Sequence, residues 1–250
     1  MKILGISSGL SYNGYTANLV RVSLQSAANQ GALVEEIFLP DYEIKICRGC
    51  RNCLAKGKCC INDDLELLRQ KIYQADGIIM GTQAFGSEPD PVLQNFITRI
   101  KFYAQHAASF SDKYLLTVAT TETFGAQKAS KMLTGLISGY LKSGFVSGVL
   151  SFNVSWEQIE HYPEYLGKIE QYTIKLIDDI RRRRRFRVND IFERLINHFF
   201  LVPQVKRMVE VQKYEKMEAV YHELSAKGLL DDQVSETTQA SINVTATAQS

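Results

Sequence analysis

Short apolar runs alternate with helical periodicity along the first 180 residues, and no other feature of the chain constrains its fold as much. Five runs have the length and apolar content of buried strands, at 2–7, 33–39, 77–81, 114–120 and 145–152. The segments that follow them show helical spacing or helix start signals, at 16–29, 63–75, 91–103, 126–142 and 163–180. This alternation predicts an α/β fold with helices on both faces of a parallel sheet. We expect a doubly wound five-stranded sheet of order 2-1-3-4-5, whose ligand site lies beyond the carboxyl ends of the strands.

The character of the chain changes after residue 180. Five consecutive arginines occupy 181–185, residues 189–200 suggest an amphipathic helix, and 209–230 reads as a further helical stretch. The last segment, 231–250, has no aromatic residue and no periodicity, which predicts a disordered tail. We therefore expect an α/β domain over 1–180, a basic and amphipathic helical extension over 181–230, and a tail over 231–250.

Composition and the amino terminus limit the compartment and the partners. With 45% hydrophobic residues, the chain can bury a core without disulfide staples, and its net charge of +2 gives no overall argument for nucleic acid binding. The first apolar run reaches glycine and polar residues too early for a signal peptide, and no run approaches the roughly 18 apolar residues of a membrane span. We expect a cytoplasmic protein, in which clustered cysteines are metal ligands or redox groups rather than disulfides.

All five cysteines lie within residues 47–60, in the pattern C-x2-C-x2-C-x5-C followed at once by Cys60. A 4Fe-4S cluster needs four thiolates, and this segment offers them, with Cys60 as a competing fourth, at Cys47, Cys50, Cys53 and Cys59. Basic neighbours would offset the negative charge of such a cluster. Zinc is an alternative, although structural zinc sites usually draw two cysteine pairs from separate knuckles. Free or redox-active thiols are a third interpretation.

Three loops are expected at the carboxyl edge of the predicted sheet, at 8–14, 81–87 and 119–127. The first carries small and hydroxyl residues that could surround a phosphate at a helix amino terminus, although it matches neither a Walker motif nor GxGxxG. The other two each carry glycine, hydroxyl groups and an aromatic residue. Each loop alone could be ordinary, but together they favour a mononucleotide with a flat ring.

Three segments resemble one protein family. GISSGLSYNGYT resembles the phosphate loop of the flavodoxin-like, NAD(P)H-dependent FMN reductases, whose usual form is GISGSPRKNGNT. CRGCRNCLAKGKCCINDDL resembles the cysteine segment of the iron–sulfur flavoprotein branch, and GTQAFGSEPDPVLQNFITR is similar to the family's second flavin loop and following helix. The resemblance covers roughly residues 1–180 and implies a flavodoxin-like fold with FMN, a 4Fe-4S cluster and NAD(P)H as electron donor.

The resemblance also implies roles for particular residues. The FMN phosphate would be bound by Asn13 and Thr16, with the backbone around Ser8, Gly9 and Ser11. The isoalloxazine ring would be flanked by Thr82, Gln83, Ala84 and Phe85, and its other side would be closed by Thr121, Gly125 and Gln127. The chain departs from the family pattern at Ser8-Gly9, which reverses the usual order, and at Leu10, Tyr15 and Gln83.

These residues predict an FMN-dependent oxidoreductase that couples NAD(P)H or a one-electron carrier to an acceptor, with cofactors rather than side chains performing the chemistry. One alternative is an FMN or quinone reductase without a cluster, and another is a non-enzymatic zinc- or redox-sensing adaptor. We expect a homodimer or homotetramer and a nicotinamide or electron-carrier partner. No specific nucleic acid partner is expected for the arginine run, and peripheral membrane contact is less favoured than packing against protein.

Overall fold

Five long strands form the centre of the fold in the computed structural model, which describes residues 1–9, 11–154, 162–185, 199, 201–213 and 215–230. The strands are β1 (Lys2–Ser8), β2 (Leu33–Phe38), β3 (Gly77–Phe85), β5 (Tyr114–Thr121) and β6 (Phe145–Asn153), with a two-residue β4 at Glu88–Pro89. The helices are α1 (Tyr15–Asn29), α2 (Asn52–Lys56), α3 (Leu65–Gln74), α4 (Pro91–Ala107), α5 (Ala126–Leu133), α6 (Pro163–Arg181), α7 (Val202–Gln212) and α8 (Glu218–Ala226).

The long strands are all parallel, and their order across the sheet is β2-β1-β3-β5-β6. Because β4 only adds a short antiparallel pairing to the end of β3, this is the predicted order 2-1-3-4-5 of a flavodoxin-like sheet, and the predicted fold class is confirmed. The inner strands β1, β3 and β5 are buried almost throughout because they are covered on both faces, whereas the first residues of the edge strand β2 are exposed. One core lies under α3 and α4 around Leu68 and Phe96, and the other lies under α1 and α6 around Leu19 and Leu176.

Strand β3 is longer than the sequence predicted. Residues 82–85 were expected in a loop, but Thr82 and Gln83 continue the pairing with β5 at Ala119 and Thr120. The strand then pairs with β4 through Ala84 and Pro89 before the chain enters α4. The expected second flavin loop is therefore a strand end followed by a tight turn, which holds its residues more firmly than a free loop would.

Helix α5 is shorter than predicted, because it ends at Leu133 and passes into a 3₁₀ turn at Thr134–Ile137 instead of reaching residue 142. The Thr134 hydroxyl donates to the Lys131 carbonyl at 2.7 Å, which satisfies a backbone acceptor at the end of the helix. At Gly139 the chain folds back so closely that a Cβ atom would lie 2.2 Å from the Lys142 carbonyl oxygen. A helix cannot continue through that approach.

The predicted helical stretch at 209–230 is also wrong in its extent, since two helices, α7 and α8, meet at a break. The break buries Met217, which joins Val209, Val220 and Leu224 in a third apolar cluster against α2 and α4. The amphipathic segment predicted at 189–200, apart from residue 199, and the predicted tail at 231–250 lie outside the described residues. None of the helices in the described part of the chain has the length and apolar character needed to cross a membrane.

Candidate functional site

The loop between β1 and α1 presents an uncapped helix amino terminus at the carboxyl edge of the sheet. Gly14 is the N-cap residue and provides no side-chain acceptor for the first-turn amides. The loop is closed internally, because the Gly14 amide donates to the Ser11 carbonyl at 3.0 Å and the Asn13 amide donates to Ser11 Oγ at 3.2 Å. Amides without a side-chain cap, together with the positive end of the helix dipole, suit a phosphate group.

Two of the predicted phosphate-binding residues differ in exposure. Asn13 is exposed, and its backbone carbonyl accepts a hydrogen bond from Asn18 Nδ2 at 3.1 Å. Thr16 is buried, and its Oγ1 lies 2.7 Å from Oγ1 of Thr120 at the end of β5. Thr16 thus connects the first turn of α1 to the end of β5. Of the two residues, only Asn13 faces solvent.

A buried aspartate joins the first two strand ends. Asp90 accepts hydrogen bonds from Ser8 Oγ at 2.6 Å and from Thr82 Oγ1 at 2.9 Å. It also caps α4 by accepting from the amides of Val92 and Leu93, both at 3.1 Å. The hydroxyls of Ser8 and Thr82 therefore form the floor of the site instead of projecting toward a ligand. Sequence reasoning missed Asp90, although an aspartate directly before a proline at a helix start is an N-cap signal.

The turn after β3 and the loop after β5 are in direct contact. Gly125 has a left-handed backbone with φ +94°, and a Cβ atom there would lie 1.8 Å from the Gly86 carbonyl oxygen. Two phenyl rings are exposed at these turns, Phe85 at 47% and Phe124 at 68% of their full area. Exposed rings at a sheet edge can stack against a flat ligand. Phe124 was not among the predicted site residues, although it lies inside the third loop.

The remaining predicted residues of the third loop shape its backbone. Thr121 Oγ1 donates to the Phe124 carbonyl at 3.1 Å and accepts from the Thr123 amide at 3.2 Å. Gln127 Oε1 accepts from Ser151 Oγ at 2.7 Å, which links α5 to β6. Of the second loop, Ala84 is buried and Gln83 is half-buried. Gly9 lies in the first loop and has open space around its Cα. The structure thus brings all twelve predicted flavin residues to one sheet edge.

The cysteine segment leaves β2 at the same edge and is closed at its base by α4. Asn95 Nδ2 donates to the carbonyls of Ile44 and Lys45 at 2.9 and 3.2 Å. Arg99 Nη1 donates to the Lys45 carbonyl at 2.9 Å, and the Lys45 amide donates to Asp63 Oδ2 at 2.9 Å. Residues 45–63 therefore form a loop whose two ends are held together on one helix.

Asp63 and Arg99 form a buried ion pair under this loop, with side chains 0% and 1% exposed. Burial opposes ionisation of Asp63, but the guanidinium of Arg99 and the amides of Lys45 and Leu65 hold its pKa below the usual value. The other Arg99 nitrogen, Nη2, donates to Cys59 Sγ at 3.1 Å. Neither Arg99 nor this contact was anticipated, because nothing near Arg99 in the sequence points to a residue forty positions earlier.

The five thiols are free and lie in one neighbourhood. Cys50 Sγ lies 3.3 Å from Cys60 Sγ. Burial, together with the nearby thiols of Cys59, Cys50 and Cys47, raises the pKa of the Cys53 thiol to about 11. Among the residues that the structure describes, no three Cys, His, Asp or Glu side chains converge on a point that could hold a single metal ion. The five thiols are thus neighbours, but they are not arranged around a single metal ion.

Helix α4 connects the flavin edge to the cysteine segment. Its N-cap, Asp90, holds Ser8 and Thr82, and Arg99 on the same helix holds Cys59. Arg99 lies nine positions after Asp90, which corresponds to a rise of about 14 Å along the helix axis. The two candidate cofactor sites therefore share a single rigid element.

Comparisons with known proteins agree with this architecture. The family model described as NADPH-dependent FMN reductase matches residues 1–157. An iron–sulfur flavoprotein of Methanocaldococcus jannaschii is 41% identical over 85 residues, which are 34% of this chain and 44% of that protein. An iron–sulfur flavoprotein of Archaeoglobus fulgidus is 27% identical over 174 residues, 64% of this chain and 86% of the relative. The chain spans about half the length of some relatives, namely 44% of the Methanocaldococcus jannaschii protein and 51% of a second iron–sulfur flavoprotein of Archaeoglobus fulgidus.

Solved structures show the same fold at low identity. A flavone reductase superposes with a TM-score of 0.60 at 19% identity, covering 72% of this chain and 63% of that one. An NAD(P)H:quinone oxidoreductase from Methanothermobacter marburgensis superposes with a TM-score of 0.55 at 10% identity, covering 70% and 96%. The family model covers well over half of the 250 residues, so the chain belongs to the NADPH-dependent FMN reductase family.

Proposed function

We propose that this chain is an FMN-dependent oxidoreductase that transfers electrons between NAD(P)H or a one-electron carrier and an acceptor, through FMN and a 4Fe-4S cluster. The observation that carries the proposal is the convergence of two sites on α4, with the loops of the flavin edge held at Asp90 and the cysteine segment at Arg99. Membership of the family supports the FMN, and the names of the relatives support the cluster.

The residues of the sheet edge fit an FMN molecule. The phosphate would be held by the uncapped amino terminus of α1 and by Ser11, Asn13 and the backbone around Ser8 and Gly9. The isoalloxazine ring would lie against the β3 end, from Thr82 to Phe85, and the loop that contains Thr121, Gly125 and Gln127 would close its other side. Thr16 acts behind the phosphate loop, by fixing the first turn of α1 to Thr120.

The cysteine segment fits a cluster through its donor set. We assign Cys47, Cys50, Cys53 and Cys59 as the thiolates, on a loop that α4 closes at its base. Each thiolate of such a cluster binds its own iron atom, so four neighbouring thiols need not converge on one point. When bound, FMN exchanges a hydride or single electrons and the cluster exchanges one electron at a time. The protein holds both cofactors on one helix and tunes their surroundings.

The second candidate is an NAD(P)H-dependent FMN or quinone reductase without a cluster. The contact between the Cys50 and Cys60 sulfur atoms favours it, because two thiols 3.3 Å apart are placed for redox exchange. Both candidates share the flavin site, and they differ only in what the cysteines hold. A zinc- or redox-sensing adaptor would bind no flavin.

Anaerobic purification and reconstitution with FMN, iron and sulfide tests the proposal. We expect bound FMN, with iron and inorganic sulfide at about four of each per FMN, broad absorption beneath the flavin bands, and NAD(P)H oxidation. FMN without iron would contradict the cluster and leave the second candidate. Absence of FMN would contradict both.

Assembly as a homodimer or homotetramer is part of the proposal, and exposed Phe85 and Phe124 would lie near such an interface. Light scattering on the eluted protein would measure its mass.

A further inference from the structure

Arg99 is the most constrained charged residue near the cysteines. Its guanidinium contacts three groups at once: the Asp63 carboxylate, the Lys45 carbonyl and the Cys59 sulfur atom. The side chain is almost completely buried, and so is that of Asp63. Because the guanidinium is planar and its donors point in fixed directions, the bonds of Nη1 to Lys45 and Asp63 also fix where Nη2 points. It points at Cys59.

The two candidates for the fourth thiolate are held differently. Cys59 is half-buried and packs against the core below α4, where Arg99 contacts it. Cys60 is exposed and faces Cys50 instead. The two adjacent thiols therefore have different neighbours, Arg99 for Cys59 and Cys50 for Cys60.

We propose that Arg99 is a positioning residue that presents Cys59, and not Cys60, as the fourth thiolate of the cysteine segment. This inference rests on the proposed function, since it concerns the cluster assigned there. A charged donor to a thiolate makes a strong hydrogen bond, and Arg99 is the donor whose place is already set by Asp63. Arg99 also places a positive charge beside one ligand.

That charge has a consequence for electron transfer. Reduction adds negative charge to an iron–sulfur cluster, and hydrogen bonds to its sulfur ligands and nearby positive charge stabilise the reduced state. Loss of Arg99 should therefore shift the midpoint potential of the cluster to a more negative value. A role in folding alone would leave the potential of the remaining folded protein unchanged.

The variants must avoid an unpaired buried charge. Arg99→Gln alone would leave Asp63 buried without its partner, which is strongly destabilising. The double variant Asp63→Asn/Arg99→Gln removes both charges and keeps hydrogen-bonding groups at both positions. Arg99→Lys is a second variant, since an ammonium group can pair with Asp63 but lacks the second nitrogen that reaches Cys59.

Arg69→Lys is the matched control. Arg69 also donates to the cysteine segment, from Nη1 to the Gly57 carbonyl at 2.6 Å, and it pairs with Glu66. No hydrogen bond joins it to a sulfur atom among the bonds of the described residues. If anchoring of the segment were enough, Arg69→Lys and Arg99→Lys would behave alike.

The experiment combines these changes with Cys60→Ala and measures iron per chain and the midpoint potential by titration with electron paramagnetic resonance. We expect Cys60→Ala and Arg69→Lys to keep the wild-type iron content and potential. We expect Asp63→Asn/Arg99→Gln to shift the potential negative through loss of the hydrogen bond to Cys59, since the two opposite charges are removed together. We expect it to lose at least half of its iron when Cys60→Ala is added. Arg99→Lys should also shift the midpoint potential negative, and it should also lose iron when Cys60→Ala is added.

Wild-type iron and potential in both Arg99 variants, each carrying Cys60→Ala, would overturn the inference. So would loss of the cluster from Cys60→Ala alone, because Cys60 would then be the ligand. Wild-type protein without iron would instead contradict the proposed cluster, so failure of the inference and failure of the proposed function are distinguishable.

Discussion

Gly125 shows at the scale of one residue how the flavin edge is built. Its backbone is left-handed at φ +94°, and its Cα faces the Gly86 carbonyl so closely that no side chain fits. Gly86 is also left-handed, at φ +62°, but open space surrounds its Cα. Both positions therefore require a residue that tolerates a left-handed backbone, and only the position of Gly125 also has no room for a side chain.

We expect Gly125→Ala to lower the free energy of unfolding by about 1–3 kcal/mol beyond the effect of Gly86→Ala, because its Cβ would clash with backbone. The clash would also separate the turn after β3 from the loop after β5 and weaken FMN binding. Urea unfolding and fluorescence titration with FMN would measure both effects. Equal losses in the two variants would show that only backbone strain matters here.

Helix α4 is the element on which most long-range contacts of the site depend. Asp90 caps its amino end, and Asn95 and Arg99 in its middle bind the cysteine segment. Its last turns pack against the C-terminal helices through Tyr103 and Ala107. Lys227 also donates to the last carbonyls of α4, at Ala107 and Ala108, with distances of 3.1 and 2.8 Å. Motion of this helix would affect both candidate sites together.

Near the end of α4, His106 makes stability depend on pH. Burial lowers the pKa of His106 below its usual 6.5, against the hydrogen bond of Nδ1 to the Phe102 carbonyl, and the charge of Arg51 lowers it further. The unfolded chain therefore takes up this proton at a higher pH than the folded chain, so stability falls as pH drops below about 6.5. We expect His106→Gln to reduce this fall. Urea unfolding at pH 7.5 and 5.5 would measure it, and parallel losses in both proteins would count against the assignment.

Helix α8 covers the short cysteine helix α2. Leu224 is fully buried in the cluster that contains Leu54 of α2, and Tyr103 of α4 donates to Glu223 at 2.6 Å. We expect Leu224→Ala to lower the free energy of unfolding by about 2–5 kcal/mol, because a buried leucine is lost. We also expect faster alkylation of Cys53, because the packing of α8 over α2 is weakened. Val211→Ala is the control, since Val211 on α7 is 72% exposed. Alkylation of Cys53 at the wild-type rate in Leu224→Ala would show that packing of α8 does not protect the cysteine helix.

At the scale of the whole molecule, the first two cysteines lie outside the apolar cores, although Cys59 and Leu54 of the same segment pack against them. The two large apolar clusters lie on opposite faces of the sheet, and Cys47 and Cys50 belong to neither. We therefore expect the protein to fold and to bind FMN without the proposed cluster. This independence follows from the exposed positions of Cys47 and Cys50.

We expect iron-free wild type and Cys47→Ser/Cys50→Ser to unfold at the same temperature and to gain the same stability from FMN. A ligand that binds only the folded state adds about 2.7 kcal/mol at 100 times its Kd. Thermal unfolding with and without FMN would measure the gain. A variant that FMN no longer stabilises would show that the cysteines shape the flavin site.

Much of this molecule follows from local pattern. The five long strands and their order were predicted, because buried parallel strands are continuous apolar runs and chain connections restrict their arrangement. Boundaries failed where distant pairing decided them, as at Thr82 and Gln83, which β5 draws into the sheet. The end of α5 failed because the close approach at Gly139 is invisible in the residue order.

The sequence alone determined the fold class, the set of cysteines and the loops that meet at one sheet edge, since period, spacing and chain direction are local properties. Only the tertiary structure decided how those residues are used. It committed Ser8 and Thr82 to Asp90, and it paired Arg99 with Cys59 while leaving Cys60 beside Cys50. The physical reason is that a hydrogen bond or a steric contact depends on distance in space, and residues forty positions apart become neighbours only when the sheet and α4 are assembled.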